Sequence, residues 1–178
     1  MHPDYREEVI TGEYPAGQVE RHSRGKALSV LPLIPHLSTG SAVLGVDTMV
    51  IVDGQAQGKA HDEEEALDFL RRLSGKTHLV YSGLTLLRAV AGASEEMIEK
   101  TAHAVTVVRF CSIPEAELEA YVSLGEWRGR AGAYAIQGRA SAFVEGINGD
   151  YTNVVGLPVP LLVGMLRESG LWPPVSWR

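Results

Sequence analysis

The chain has 178 residues, of which 45% are hydrophobic and 21% are charged. A chain of this length removes about 70% of its unfolded surface from water, so it needs neither disulfides nor a structural metal to form a core. The 16 basic and 22 acidic residues give a formal net charge of −6, which disfavours broad binding to nucleic-acid polymers or anionic membranes.

The N-terminal third of the chain predicts a helix followed by a buried strand. Apolar residues recur at helical spacing over residues 15–31, and Pro32 stops the run. Residues 42–52 are largely apolar and rich in valine, and Asp53 and Gly54 close them. This pattern is typical of a buried strand that enters a tight turn.

The middle of the chain predicts a second helix and a long hairpin. Asp62 precedes Glu65 by three residues, which is the spacing of a capping box, and Gly75 marks the end of the helix. Residues 77–90 and 96–111 have extended patterns and are joined by small residues. We interpret them as the two strands of a hairpin.

The last third predicts a short helix, a glycine-rich loop, a strand and a closing helix. These elements are expected over residues 114–124, with Ser112 as the cap, and over 125–138, 140–147 and 160–169. Because no internal repeat or long linker divides the chain, we expect a single domain over residues 1–178. Its fold class is α/β, a mixed twisted sheet with flanking helices and a cleft.

The chain carries no sequence signal for export or membrane insertion. Residues 2–8 lack the basic start and apolar stretch of a signal peptide. The longest uncharged run, residues 27–46, is interrupted by Pro32 and Pro35 and therefore does not predict a membrane span. Cys111, the single cysteine, fits a reducing compartment. We expect a cytoplasmic protein.

Asp47 is the first candidate for chemistry, because it interrupts the apolar strand predicted over residues 42–52. A buried carboxylate must be paired, protonated or bound to a ligand. Two interpretations stay open here: a functional carboxylate, or a structural one that caps a loop or pairs with an arginine. The neighbouring Thr48 is uninformative alone, since threonine is common in strands.

Two further segments carry candidate residues. Lys59 follows the predicted turn and could lean into a pocket, although a lysine after glycine is usually solvated. Residues 127–139 combine three arginines, two aromatic residues and several glycines. Arginines can bind phosphate oxygens, Tyr134 can offer an apolar surface, and Gln137 can hydrogen-bond a base edge. The alternative is a surface loop whose arginines pair with glutamates.

Several catalytic classes lack their motifs in this sequence. Neither a P-loop nor a dinucleotide fingerprint occurs, and the six histidines show no H-x-H or H-E-x-x-H spacing. No G-x-S-x-G elbow occurs, and no histidine stands near Cys111. The acidic run over residues 62–65 suggests a metal, but its place at a helix start explains it as well.

Read together and in order, the motifs resemble those of the Maf family of nucleoside triphosphate pyrophosphatases. They are G-V-D-T-M-V, the G-K before the acidic helix start, R-R-L-S-G-K-T-H, W-R-G-R-A-G-A-Y-A-I-Q-G and G-D-Y-T-N-V-V-G-L-P. The resemblance extends from Glu7 to Leu171. It implies a Maf/ITPase-like fold and hydrolysis of a nucleoside triphosphate to a monophosphate and pyrophosphate, with a divalent cation, Mg²⁺ or Mn²⁺.

The resemblance also implies roles for acidic residues. Asp47 matches the family's proton acceptor, which would activate the attacking water or help to hold the metal. Glu7 or Glu8 falls near an acidic position that family members use beside the metal, and we assign Glu8 together with Asp47 as metal ligands.

Four other positions match family residues that bind the substrate. Lys26 and Lys59 match lysines expected near the phosphates. Thr48 and Gln137 match positions that select the base. The Asp-Thr and Ile-Gln pairs resemble the branch acting on dTTP and UTP, whereas the branch for 7-methyl-GTP tends to carry Asp-Gln at the first site. We therefore favour pyrimidine triphosphates and keep the 7-methyl-GTP branch as an alternative.

Family members also carry an initial apolar strand and an S-x-S-P-R-R loop, and this chain starts after the corresponding region. Two hypotheses follow: the true start lies upstream of Met1, or the protein lacks part of its phosphate site. The second predicts a catalytically impaired nucleotide-binding or regulatory protein, or an inactive partner in a dimer. Under either hypothesis the expected partner is a small nucleoside triphosphate rather than a nucleic acid or a membrane, and a homodimer stays open.

Overall fold

A computed structural model describes residues 5–8, 10, 12–34, 41–89 and 97–172. Its helices are α1 (Pro15–Val30), α2 (Glu63–Leu73), α3 (Glu115–Ser123), α4 (Tyr151–Val155) and α5 (Val159–Glu168). Its strands are β1 (Ala42–Val52), β2 (Gln55–Gln57), β3 (Thr77–Ala89), β4 (Met97–Phe110) and β5 (Val144–Asn148). The described strands form a five-stranded sheet in the order β2-β1-β3-β4-β5. The predicted α/β class is confirmed.

Two pairs of neighbouring strands are antiparallel, with a defined register. Strand β1 pairs with β2 across the Asp53-Gly54 turn, with Val50 opposite Gln57. Strand β4 pairs with β5, with Val108 opposite Ile147. Among the described residues, no helix is both long and apolar enough to cross a membrane.

Two local predictions were wrong, and one short helix was not predicted. Ser112 does not cap α3: the N-cap is Pro114, which cannot offer a side-chain hydrogen bond. Residues 139–143 form a 3₁₀ turn after Gly138, so strand β5 begins only at Val144. Helix α4 was not predicted, and its start is fixed by the Asp150 side chain, which accepts a hydrogen bond from the Thr152 N–H at 2.8 Å.

The remaining helices lie within two residues of their predicted bounds. Asp62 caps α2 as its spacing predicts, accepting a hydrogen bond from the Glu65 N–H at 2.8 Å. The Glu65 carboxylate accepts in turn from the His61 N–H at 2.7 Å. The small residues predicted to join the hairpin, 91–94, lie outside the described residues, but β3 and β4 are neighbours in the sheet.

The chain divides into two compact units. The first comprises Met1–Asp47, Ser82–Ala104 and Leu157–Arg178, and the second comprises Thr48–Tyr81 and Val105–Gly156. The single domain that the sequence suggests stays a prediction.

In the first unit, helix α1 lies directly on β1 and β3 because glycines face it. A Cβ added at Gly45 would lie 2.8 Å from the Ala27 Cβ and still closer to the Ser23 carbonyl oxygen. A Cβ at Gly83 would collide with the backbone of Val19. Any larger side chain at these positions would push the helix away from the sheet.

In the second unit, helices α2 and α3 cover a core that includes Leu70, Phe110, Leu118 and Trp127. The Trp127 indole N–H donates to the Val122 carbonyl at 2.9 Å, so its polar atom is satisfied inside the core.

A buried histidine also belongs to this core. The His78 ring is 1% exposed and packs edge-on against Phe110, with ring centroids 4.9 Å apart. Its Nε2 hydrogen-bonds the Tyr134 hydroxyl at 2.9 Å. Burial lowers the pKa of His78 from 6.5 to about 4, so the ring is neutral in the folded protein at pH 7.

We expect Gly45→Ala to lower the free energy of unfolding by about 1–3 kcal/mol, because overpacking displaces α1 from the sheet. Gly164→Ala is the matched control, since a Cβ at Gly164 in α5 meets nothing within 4 Å. Urea denaturation at neutral pH measures both. A Gly45→Ala protein as stable as the control would show that the helix is not held at this distance.

We expect His78 to make stability depend on pH between about 4 and 6.5. Below pH 6.5 the unfolded chain protonates this histidine while the folded protein does not, so the stabilisation present above pH 6.5 is lost as the pH falls. The loss reaches roughly 3 kcal/mol at the acid end. Urea denaturation of His78→Gln should show this part of the pH dependence removed, and the exposed His61→Gln should retain it.

Candidate functional site

The first unit holds a buried carboxylate between charged neighbours. Asp47 is 6% exposed and lies on β1, and its Oδ1 accepts a hydrogen bond from the Lys26 ammonium group on α1. The Lys26 Nζ also lies 2.7 Å from the Glu7 Oε1. Of the interpretations open for Asp47, the structure therefore supports pairing with a cation, and the cation is a lysine rather than an arginine.

Lys26 stays protonated in this setting. Burial alone would lower the pKa of its ammonium group, but hydrogen bonds to Asp47 and Glu7 and the charges of these carboxylates outweigh burial and raise the pKa. The two carboxylates, Glu7 and Asp47, together with the one ammonium group carry a net charge of −1. A further cation is therefore attracted to it.

His22 completes this cluster from the preceding turn of α1. It is 2% exposed, and its Nδ1 lies 3.5 Å from the Asp47 Oδ2. Residues 22 and 26 share a helix face, because side chains four residues apart on a helix point in the same direction. His22 is not part of any motif recognised in the sequence, and its spacing of four residues from Lys26 was the signal that could have found it.

Contacts to α1 position the segment that carries Glu7. The Tyr5 ring lies against Gly25, where a Cβ would overlap the ring. The Glu8 carbonyl accepts hydrogen bonds from Arg21 at 2.8 Å and from the His22 Nε2 at 3.0 Å. Glu7, rather than Glu8, thus directs its carboxylate to Lys26, while Glu8 contributes its backbone and has an exposed side chain.

The donor set fits a divalent cation. Glu7, His22 and Asp47 each offer one ligand atom, and these atoms lie within 4.8 Å of one another. The His22 Nδ1 is buried and has no hydrogen-bond partner among the described residues. Bonds of about 2.1 Å place neighbouring ligand atoms of one ion roughly 3.0–3.5 Å apart. The distance between the His22 Nδ1 and the Asp47 Oδ2, 3.5 Å, lies at the upper end of this range.

The second unit holds the other predicted site residues. The backbone of Lys59 forms a bridge with Ala131, and the Gly132 N–H donates to the Gly58 carbonyl at 3.0 Å. Lys59 and the glycine-rich loop are thus adjacent, as the substrate-binding interpretation requires. The Lys59 side chain is exposed, as is that of Gln137.

Thr48 contacts the last motif of the sequence. Its Oγ1 donates to the Gly156 carbonyl at 3.5 Å, and Gly156 ends α4 with φ of 119°. Asn153 of the same motif is buried, and its amide donates to the Val80 carbonyl at 3.0 Å and to the Thr106 Oγ1 at 2.9 Å. These bonds anchor the N-V-V-G segment beside the part of β1 that carries Thr48.

The glycine-rich loop is packed rather than loose. Ala133 is fully buried with φ of 58°, and a Cβ at Gly132 would lie 3.0 Å from Val50. A non-glycine residue at positive φ persists only where the surrounding structure fixes it. The loop therefore presents the exposed Gln137 from a rigid base.

The structure changes the interpretation of two residues of this loop, Tyr134 and Arg128. Tyr134 is buried and bonded to His78, so it offers no exposed surface on which a base could stack. Arg128 lies over the Trp127 ring at 4.8 Å and 3.4 Å from the Glu63 carboxylate, as the structural alternative predicts. Arg130 and Arg139 have exposed side chains.

Sequence comparison identifies the family. The profile of Maf-like proteins matches residues 1–169. The chain belongs to the Maf-like protein family. The resemblance drawn from its motifs is therefore confirmed.

This Maf-like protein is similar to several curated relatives that carry the name dTTP/UTP pyrophosphatase. The one from Symbiobacterium thermophilum is 44% identical over 168 residues, which cover 94% of this chain and 81% of the relative. The one from Pelotomaculum thermopropionicum is 44% identical over 159 residues, covering 89% and 78%. The one from Brucella abortus is 38% identical over 180 residues, covering 99% and 84%.

We expect Lys26→Met to lower the free energy of unfolding by about 3 kcal/mol at pH 7, since it leaves the buried Asp47 carboxylate without its cation. The double variant Lys26→Met with Asp47→Asn should regain part of this loss, because the uncompensated charge is gone. Urea denaturation of the two single variants and the double variant measures their coupling.

The control for this cycle is Lys59→Met, which removes an exposed lysine and should change stability by less than about 0.5 kcal/mol. Additive effects of the two substitutions at positions 26 and 47 would contradict the pairing.

Proposed function

We propose that this protein hydrolyses nucleoside triphosphates, with dTTP and UTP preferred, to the nucleoside monophosphate and pyrophosphate. The observation that carries this proposal is the buried Asp47, which is paired with the protonated Lys26 and lies 3.5 Å from the Nδ1 of His22. A carboxylate is rarely buried without a role. The names of the curated relatives support the substrate class.

In the proposed reaction, a water oxygen attacks the α-phosphorus, the bond to the bridging oxygen between the α- and β-phosphates breaks, and pyrophosphate leaves. The carboxylate of Asp47 accepts the proton that the water loses. Lys26, whose raised pKa keeps it charged, holds Asp47 in place and offsets phosphate charge. The family resemblance assigns Lys59 to the phosphates as a further positive charge.

A divalent cation, Mg²⁺ or Mn²⁺, belongs to this proposal. Asp47, Glu7 and His22 are the residues that would hold it, and it would neutralise negative charge on the phosphates during the reaction. We therefore replace Glu8 by Glu7 in the proposed ligand set, because the Glu7 carboxylate lies 2.7 Å from the Lys26 Nζ and belongs to the group of ligand atoms around Asp47.

Selection of the base is assigned to Thr48 and Gln137. Gln137 is exposed on a loop whose buried residues fix its position, and its amide offers both a donor and an acceptor to a base edge. Removal of noncanonical or surplus pyrimidine triphosphates is the cellular role that this chemistry suits.

The decisive experiment measures pyrophosphate and monophosphate release from dTTP, UTP, CTP, GTP and 7-methyl-GTP, with Mg²⁺ or Mn²⁺. We expect release from dTTP and UTP, and we expect Asp47→Asn to reduce kcat by a factor of at least about 100, the scale of losing a positioned base.

The matched control is Asp53→Asn. Asp53 is exposed, in the β1–β2 turn, and pairs only with Lys76 at 2.5 Å among the contacts described for it. Its replacement should leave kcat unchanged. If the folded wild-type chain binds nucleotides but releases no pyrophosphate, it is a nucleotide-binding protein without turnover. A preference for 7-methyl-GTP would place it in the branch that acts on that nucleotide.

A further inference from the structure

His22 is a buried group whose hydrogen bonding leaves one ring atom unused. Its Nε2 lies 3.0 Å from the Glu8 carbonyl oxygen. A carbonyl oxygen can only accept, so Nε2 carries the proton and donates it. In the neutral ring the Nδ1 therefore bears a lone pair, and this atom has no hydrogen-bond partner among the described residues.

The lone pair on Nδ1 faces an acceptor. The Asp47 Oδ2 lies 3.5 Å away, and both groups are buried. Two acceptors that face each other in the interior need a proton or a cation between them. The other carboxylate oxygen, Oδ1, is occupied by Lys26, so the two oxygens of Asp47 are divided between the lysine and the histidine.

We propose that the His22 Nδ1 is a metal ligand, together with Asp47 and Glu7, and that it makes the site favour Mn²⁺, Co²⁺ or Zn²⁺ over Mg²⁺. This inference deepens the proposed function, because it concerns the cation which that function uses. It rests on the tautomer set by Glu8, on the unpartnered nitrogen and on the third ligand atom within 4.8 Å.

The chemistry of the donor set gives the direction of this preference. Mg²⁺ prefers oxygen ligands and retains water, whereas imidazole nitrogen suits transition metals. A histidine that ligates a metal usually donates its other ring N–H to a carbonyl or carboxylate, which fixes the ring. The bond from the His22 Nε2 to the Glu8 carbonyl is such a contact.

The first test measures the binding of Co²⁺ and of Mg²⁺ to the full chain by calorimetry, without nucleotide. We expect His22→Gln to weaken Co²⁺ binding on the order of 10–100-fold or more. Removing a group that only hydrogen-bonds a metal ligand already costs about 10–100-fold in affinity, and His22 would be a ligand itself. Mg²⁺ binding should change by less than about threefold, because oxygen ligands dominate it.

The control for the first test is His103→Gln. His103 also faces a carboxylate, with its Nδ1 2.7 Å from the Glu20 Oε1, but it is partly exposed, so its replacement should leave binding of both ions unchanged. Equal weakening of Co²⁺ and Mg²⁺ by His22→Gln, or no effect on Co²⁺, would overturn the proposal.

The second test uses the wild-type chain alone and does not depend on a variant folding. Pulsed electron paramagnetic resonance of bound Mn²⁺ should detect coupling to a directly bound ¹⁴N nucleus. Absence of nitrogen coupling would mean that His22 is instead protonated and paired with Asp47, and it would overturn the proposal.

These outcomes separate the metal site from the proposed function. Nitrogen coupling without pyrophosphate release from any nucleotide retains the His22 ligand and rejects the pyrophosphatase. Release of pyrophosphate with no nitrogen coupling retains the pyrophosphatase and rejects His22 as a ligand.

Discussion

The close approach of helix α1 to strands β1 and β3 is the constraint on which the first unit depends. It is possible because Gly45 and Gly83 present no side chain where the backbone of α1 passes. The same helix carries His22 and Lys26, and β1 carries Asp47. The packing distance of one helix on two strands thus sets whether an ammonium group and an imidazole reach a buried carboxylate.

This packing also explains how Asp47 is tolerated inside a strand of apolar residues. A lone buried carboxylate would be expensive to desolvate, but Lys26 compensates its charge and is itself held by Glu7. The arrangement leaves one carboxylate oxygen directed to His22. The carboxylate that needs a partner for burial is also one of three groups whose ligand atoms lie within 4.8 Å of one another.

In the second unit a rigid core supports residues at its surface. The loop around Ala133 is fixed by buried neighbours, and its backbone meets that of the segment carrying Lys59. Gln137 and Lys59 themselves remain exposed. A preorganised backbone with exposed polar ends is what recognition of a small polar ligand needs, because little conformational entropy is lost when the ligand binds.

Local patterns were sufficient for most of the secondary structure. The capping box at Asp62, the apolar run of β1 and the proline after α1 each depend on neighbours in the chain, and each element formed close to its predicted bounds. The errors arose where longer contacts decide. Residues 139–143 form a 3₁₀ turn, and the Phe143 carbonyl accepts from the Cys111 N–H at 2.9 Å, a contact that a local pattern does not contain.

For the site, the sequence by itself determined that Asp47 is a charged group in a buried strand, and its motifs determined the family. Only the tertiary structure decided which groups meet that carboxylate. Lys26 and His22 reach it from a helix, and Glu7 rather than Glu8 faces the cluster because the Glu8 backbone is bonded to α1. The charge of a residue and the burial of its strand can be inferred from the neighbouring residues in the chain. The pairing of distant side chains depends instead on how closely the glycines let the helix approach the sheet.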